Sequence, residues 1–367
     1  MTAAVGVASR ASKRAISLGA DQRRCWFYPK TDIELPDERL RDARAAAART
    51  LEQRTATVAA LAAELGLGYG AKPLAAGTFH VVHAVGRQDD SWALRSTVDD
   101  VFTEDRTLYI EAAARRWLGV GGAPVPKTHT VRVCADGAPF DFSVIERSSY
   151  PNLRDLGDAV LDEEQRWLLA MGEALARIHQ CSGGGAGLLL LDNLESSGLP
   201  EGVHRTWQDF LFCNADQHVD TCQRAGLITA AEQQLIFDLI GRARPLIQSR
   251  PMRLLHGDFA SHNLCVELTD KRVTHVLDWE DALVGDPLFD LAMALTFQPP
   301  RRHAALLTGY GVSKAAPEQD GLLALYYLRI SLSKTVHRLR FGLTDLPGRE
   351  PAHLRITRGM RDLERLL

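Results

Sequence analysis

The feature that most constrains this chain is a short strand-rich island in its otherwise helical second half. It reads Arg253-Leu-Leu-His256-Gly-Asp258-Phe-Ala-Ser-His-Asn263, then Leu264–Leu268, Thr269–Arg272, Val273–Leu277 and Asp278-Trp-Glu280-Asp281. Two five-residue β-prone runs around a four-residue turn predict a hairpin. Antiparallel pairing sets Leu268 opposite Val273 and Leu264 opposite Leu277, and one more step of register sets Asn263 opposite Asp278. A carboxamide oxygen and a carboxylate are thereby brought together at the open end. Hard oxygen donors in such small number suit Mg²⁺, which keeps several waters and takes other ligands from substrate phosphates. Asp258 precedes Asn263 by five residues, on the loop leaving the strand that ends near His256. A carboxylate there can accept the proton of an attacking hydroxyl. One base and two oxygen ligands at these spacings are what phosphoryl transfer asks of a protein.

The remaining composition narrows the setting. A length of 367 residues allows two domains and a sizeable core without disulfides. The 43 basic and 46 acidic residues give a formal charge of −3, without the basic excess of a nucleic-acid binder. The basic set holds 36 Arg and 7 Lys, which together with abundant Ala reads as genomic GC bias. The six cysteines form no C-x-x-C pair, so neither a disulfide framework nor a zinc site is expected. Arg10, Lys13 and Arg14 are followed by no apolar run, and no 18-residue apolar stretch occurs anywhere. A cytoplasmic protein with no membrane or nucleic-acid partner is the expectation.

Along the chain, residues 1–36 read as an extension that drapes over the body, and Asp37–Leu65 as a long helix stopped by Gly66, Gly68 and Gly70. The Ala-rich face of that helix suits packing or a dimer contact, so monomer and homodimer both stay open. Phe79–Val85 and Ser91–Ser96 predict a hairpin across Gly86–Asp90, Arg106–Leu118 a helix, and Val131–Cys134 with Phe140–Ile145 a second strand pair. Asp162–His179 places Trp167, Leu168, Met171, Leu175 and Ile178 on one helical face. Further helices are expected at 206–224, 230–248, 287–296, 302–309 and 319–341. The division is therefore an extension and helix over 1–65, a small strand-rich lobe over 66–147, and a mostly helical lobe over 148–367.

His256–Asn263 with Leu277-Asp-Trp-Glu-Asp-Ala-Leu-Val-Gly-Asp-Pro-Leu-Phe-Asp-Leu-Ala292 resembles the aminoglycoside phosphotransferase and choline kinase-like family, relatives of the protein kinases. The resemblance implies an α+β, bilobal protein-kinase-like fold, with a β-rich N-terminal lobe for nucleotide and a larger helical C-terminal lobe for catalysis and substrate. It implies Asp258 as catalytic base, Asn263 and Asp278 as Mg²⁺ ligands, and Asp290 as a brace for the catalytic loop. Gly77 and Thr78 fall where the family's phosphate-covering loop belongs. Arg95 stands where the family places a phosphate-binding Lys, and Lys72 precedes the loop and is set aside. Glu111 is the expected partner of Arg95, with Glu104 second. Adenine would bond main-chain groups near Ile145 and Arg147, with Val144 behind the purine, and His179 would be a core histidine. Ala93-Leu-Arg-Ser, Thr206-Trp-Gln-Asp-Phe and Tyr327-Leu-Arg-Ile-Ser are similar to the hygromycin B phosphotransferase branch, and the likeness spans about 66–340.

The implied activity is ATP- and Mg²⁺-dependent O-phosphorylation of a small antibiotic, aminoglycoside-like such as hygromycin B or nucleoside-like, with GTP left open as donor. A cationic acceptor would need carboxylates, for which Asp209, Glu280 and Asp281 are the candidates. The alternatives are a metabolic kinase of the same family, acting on an amino sugar or a choline- or homoserine-like alcohol, and a nucleotide-binding pseudokinase. The retained Asp258, Asn263 and Asp278 weigh against the last.

Overall fold

The chain opens on one helical turn, α1 (Pro29–Asp32), and the long helix α2 (Asp37–Glu64), followed by β1 (Gly70–Ala76), β2 (His80–Gly86), β3 (Trp92–Thr97), α3 (Thr107–Val120), β4 (Thr128–Arg132) and β5 (Phe142–Glu146). The computed structural model describes residues 26–32, 35–86, 91–98, 107–134, 137–195, 198–247, 250–312, 317–344 and 350–367. Arg10, Lys13, Arg14, Cys25, Glu104 and most of the turn before Ser91 lie outside them. The five strands form one antiparallel sheet of order β1-β2-β3-β5-β4. Side chains alternate across a sheet. Leu94 of β3 and Val144 of β5 therefore face α2, where they pack with Val58 and Leu61, while Arg95 takes the opposite face. Leu40, Ala43 and Ala47 of the same helix pack with Phe79 and Val81. The Ala-rich face thus covers this sheet and is part of the N-terminal lobe.

β1 was not predicted. It is an edge strand, largely exposed, and carries Pro73, which an edge tolerates because one of its hydrogen-bonding sides is free. Lys72 on it is exposed.

The second lobe comprises α4 (Gly157–Glu163), α5 (Arg166–Ile178), β6 (Ala186–Leu189), β7 (Gly202–His204), α6 (Trp207–Leu211), α7 (Ala215–Arg224), α8 (Ala230–Ala243), β8 (Arg253–Leu255), β9 (Leu264–Glu267), β10 (Arg272–Val276), β11 (Leu283–Gly285), α9 (Pro287–Thr296), α10 (His303–Tyr310), α11 (Pro317–Arg340) and α12 (Ala352–Leu366). The predicted stripe of α5 is buried throughout. The helix expected over 206–224 is two helices, because Asn214 adopts a left-handed φ of 54° between them. The short strands β6, β7 and β11 carried no clear sequence period, and the C-terminal helix α12 was not among the expected helices although its buried residues recur at helical spacing.

Trp26, Phe27 and Tyr28 are buried in the core of this helical lobe. The Asp32 carboxylate accepts from the backbone N–H of Phe27 and Tyr28 at 2.7 and 3.0 Å, and its other oxygen lies 2.7 Å from His218 Nε2. The Arg329 guanidinium stacks 3.6 Å from the Phe27 ring centroid. The expected drape is therefore a built-in part of the lobe within its described residues. Aromatic side chains need area to bury, and α7, α9 and α11 supply it.

Candidate active site

The loop between β8 and β9 is fixed from behind by one carboxylate. Asp290, fully buried on α9, accepts from the backbone N–H of His256 at 2.5 Å and of Gly257 at 2.8 Å. His179 Nε2 lies 3.3 Å from the same Asp290, and its Nδ1 lies 2.8 Å from the Tyr310 hydroxyl, so it is a satisfied core histidine. Gly257 has φ of +79°, and a Cβ there would meet the Asp281 carbonyl at 2.1 Å. Only glycine lets the chain turn this close to the following loop. The result presents Asp258, whose side chain stays partly exposed in the cleft.

The hairpin that follows departs from the predicted register by two residues at its turn, where Val273 pairs with Val266, and by one at its open end. Leu264 pairs with Val276, and Leu277 N–H donates to the Asn263 carbonyl at 2.8 Å, so Asn263 stands beside Leu277 and Asp278 follows it. The Glu267 carboxylate accepts from Thr269 and Asp270 N–H, which starts the turn one residue early, and a bulge lies between Val273 and His275. Asn263 is buried and donates its amide N–H to the Asp258 carbonyl at 3.0 Å, tying the loop to the hairpin. Asp278, with a left-handed φ of 63°, turns the chain and keeps its carboxylate about one-third exposed.

Across the cleft, Arg95 gathers three carboxylates. Its Nη1 lies 2.6 Å from Glu111 and 2.8 Å from Asp278, and its Nη2 contacts Glu280 and lies 2.9 Å from His80 Nδ1. Carboxylate oxygens of Glu111, Asp278 and Glu280 come within 4.8 Å of one another. Arg95 already supplies the cation that such a group needs, so this trio is an ion-pair cluster held by guanidinium.

The charged network continues through residues the sequence reading did not single out. Lys30 contacts Glu280 and lies 2.9 Å from Asp281, and the Tyr28 hydroxyl donates to Asp281 at 2.6 Å. The Lys334 ammonium sits 4.2 Å over the Tyr28 ring and 2.8 Å from Asp258 Oδ1. Burial pushes the Asp258 carboxyl up, but Lys334, then Lys30 and His262, hold it well below the usual carboxylate range. Glu280 is likewise lowered despite burial, chiefly by Lys30 and Arg95, whereas burial leaves Asp281 raised. A cleft of about 400 Å³ joins these groups, lined by Gly77, Thr78 and Val82 above and by Asp258, Asp278 and Lys334 below.

The expected residues therefore divide. Gly77, Thr78, Arg95, Asp258, Asp278 and Glu280 line one cleft, Glu111 joins it through Arg95, and Asn263 supports it from beneath the loop. Val144 does not reach it, since strand alternation turns its side chain into the core under α2. Ile145 lies on β5 beside Ala93, and the Arg147 N–H is committed to the Ser91 carbonyl, so that group is not free for an adenine. Asp209 is exposed in the first turn of α6 and lies outside the cleft; it belongs to the turn in which the Thr206 hydroxyl accepts its N–H. Asp281 is buried under Tyr28 and Lys30. Lys30 and Lys334 are two of only seven lysines, a scarcity that offers the one sequence signal for them.

A family model described as "Phosphotransferase enzyme family" matches residues 70–323. The chain belongs to the phosphotransferase enzyme family. It is 27% identical to hygromycin-B 4-O-kinase of Escherichia coli over 257 residues, 67% of each protein. Among solved structures it resembles a thermostable mutant of aminoglycoside phosphotransferase APH(4)-Ia in ternary complex with AMP-PNP and hygromycin B. That match has a TM-score of 0.61 and 19% identity, over 84% of this chain and 99% of that one. A choline/ethanolamine kinase family protein from Mesorhizobium loti matches with a TM-score of 0.56 and 17% identity, over 87% of this chain and 94% of that one. The protein is thus a kinase-fold phosphotransferase acting on a hydroxyl, and no helix among its described residues is long and apolar enough to cross a membrane.

Proposed function

We propose that this phosphotransferase moves the γ-phosphoryl group of ATP to the hydroxyl of a small molecule, with Asp258 as base. The observation that carries the reading is one cleft joining the Gly77 loop, Arg95, Asp258 and Asp278, with the Asp258 loop held by Asp290. Asp258 is kept ionised by Lys334, so it can accept the hydroxyl proton and orient the oxygen for in-line attack. Arg95 offers a permanent cation to phosphate oxygens, and Gly77 permits close approach of backbone to them. Magnesium fits the donor set: Asp278 offers an accessible carboxylate, and the Asn263 N–H is already spent on Asp258, which leaves its amide oxygen. Held by these two oxygens, a magnesium ion would supply neutralising charge to the phosphates. An intact Asp258, Asn263 and Asp278 set, braced as described, speaks against a pseudokinase.

Hygromycin-B 4-O-kinase as a relative supports an antibiotic acceptor. One observation favours the metabolic reading instead: Glu280 and Asp281, two of the three acids a cationic antibiotic would need, are neutralised by Lys30, and the third, Asp209, lies outside the cleft. The experiment for the nucleotide half is calorimetry of ATP with and without Mg²⁺. Asp278→Ala should weaken Mg²⁺-dependent binding by about tenfold or more; unchanged binding would overturn the metal assignment.

A further inference from the structure

Resting on the reading of Asp258 as base, we infer that Tyr28 and Lys334 are its positioning residues: together they fix the carboxylate so that one particular oxygen meets the acceptor hydroxyl. Lys334, on α11, donates to Asp258 Oδ1 at 2.8 Å. Asp258 Oδ2 lies 4.0 Å from His262 Nε2, beyond hydrogen-bond reach. Among the described residues, Oδ2 is therefore the oxygen left for the hydroxyl. In the transfer the hydroxyl proton goes to Oδ2 and the acceptor oxygen bonds the γ-phosphorus. The bond from that phosphorus to the bridging oxygen breaks, and ADP leaves. A carboxylate held by neither oxygen can turn either one toward the acceptor; Lys334 removes that freedom.

A lysine can hold a carboxylate only if it is itself held, because its ammonium rides on a flexible four-carbon stem. Tyr28 holds it. The Lys334 ammonium lies 4.2 Å from the centre of the Tyr28 ring, with the Phe297 ring 5.9 Å away. An ammonium over an aromatic face is attracted by the negative face of the ring. Tyr28 is buried and tied at both ends: its hydroxyl donates to Asp281 Oδ2 at 2.6 Å, and its backbone N–H to Asp32 at 3.0 Å. The Thr31 hydroxyl donates to the Ser333 carbonyl at 3.4 Å, which joins this N-terminal turn to the residue before Lys334. The Asp281 carbonyl in turn abuts Gly257, where a Cβ would meet it at 2.1 Å. Contacts therefore run in a closed ring from Asp258 through Lys334, Tyr28 and Asp281 back to Gly257. Tyr28 and Lys334 both lie outside residues 70–323, the span of the family match, so this part of the ring is added from beyond it.

The test follows ADP release from Mg²⁺–ATP by the full chain, with hygromycin B and choline as acceptors and water alone as background. Lys334→Gln should lower kcat about 100-fold while the ATP KM stays within about twofold, because a misplaced base slows the chemical step and not nucleotide binding. Lys334→Arg keeps a charged donor and should recover about tenfold of that loss. Tyr28→Leu should lower kcat about 30-fold, whereas Tyr28→Phe keeps the ring and should lower it only about threefold. In an Asp258→Asn background, Lys334→Gln should cost less than about threefold more, since residues that act as a unit are not additive. If Tyr28→Leu does not fold, Lys334→Gln against Lys334→Arg decides alone. A kcat for Lys334→Gln within threefold of the parent would overturn the positioning role and leave the kinase reading standing. So would an ATP KM that rises in step with the loss, or a full further loss in the Asp258→Asn background. A parent that binds no Mg²⁺–ATP, or Asp258→Asn turnover equal to the parent's, would instead sink the reading on which the inference rests.

Discussion

Two regions bring charge into the cleft, and they do so by opposite means. The stretch from His256 to Asp290 delivers Asp258, Asn263, Asp278 and their brace within 35 residues, through a loop, a hairpin and one helix. The second set, Tyr28, Lys30, Lys334 and Arg338, comes from chain ends about 300 residues apart, packed together by a buried aromatic turn and a long helix. Local spacing therefore sets which reaction the site can run, and long-range packing sets the electrostatics around it. The same reaction chemistry can be kept while the acceptor environment is rewritten from a distant part of the chain.

Breaking the first region should cost most. Asp290→Ala leaves the buried N–H groups of His256 and Gly257 without an acceptor, at about 1–3 kcal/mol each. Denaturant unfolding should show the chain destabilised by about 3–5 kcal/mol, with turnover lost together with loop order. A loss under 1 kcal/mol would mean that the loop is held by something else. The boundary between the two regions is Arg95. Arg95→Ala should weaken ATP binding by about 1.5–3 kcal/mol and should also release the repulsion among Glu111, Asp278 and Glu280. An unchanged ATP KM would show that another cation holds the phosphates.

The second region is probed through pH, by an effect that is absent near neutrality and grows only as the pH falls. Burial, with Lys334 and Lys30 nearby, lowers the His337 pKa to about 3. Its folded value lies below its unfolded value of 6.5, so the unfolded chain binds the proton first as pH falls. Stability attributable to this histidine is complete above about pH 6.5 and is lost between there and about pH 3, at no more than about 1.4 kcal/mol per pH unit. His337→Phe, which keeps a ring against Phe341, should flatten the dependence of Tm on pH below 6.5. An unaltered slope would show that His337 is not buried beside these cations.

The contrast also explains what could be read from the sequence. The fold class was legible because the stretch from His256 to Ala292 resembles a known family, and the loop, the hairpin and Asp290 were visible together because they lie within 35 consecutive residues. The hairpin register departed by two residues at the turn because the Glu267 side chain, and not the strand pattern, decides where the turn begins, and a bulge returns one of them by the open end. Val144 was misplaced because in a strand a one-residue error exchanges faces. Asp209 was misplaced because a charge near the start of a short helix reads the same whether it lines a cleft or caps a turn. Tyr28 and Lys30 carried no local signal at all; their position follows from where Asp32 meets His218 and Phe27 meets Arg329, contacts nearly 200 and 300 residues long.

The most direct test of the central claim is the Asp258→Asn variant, assayed for ATP affinity and for single-turnover phosphoryl transfer on one enzyme preparation. The amide keeps the shape and can still accept a hydrogen bond, but it cannot take the hydroxyl proton. The account predicts ATP binding within twofold of the parent and a transfer rate lowered by about 10²–10⁴. A transfer rate within tenfold of the parent, with ATP binding intact, would contradict the assignment of Asp258 as the base.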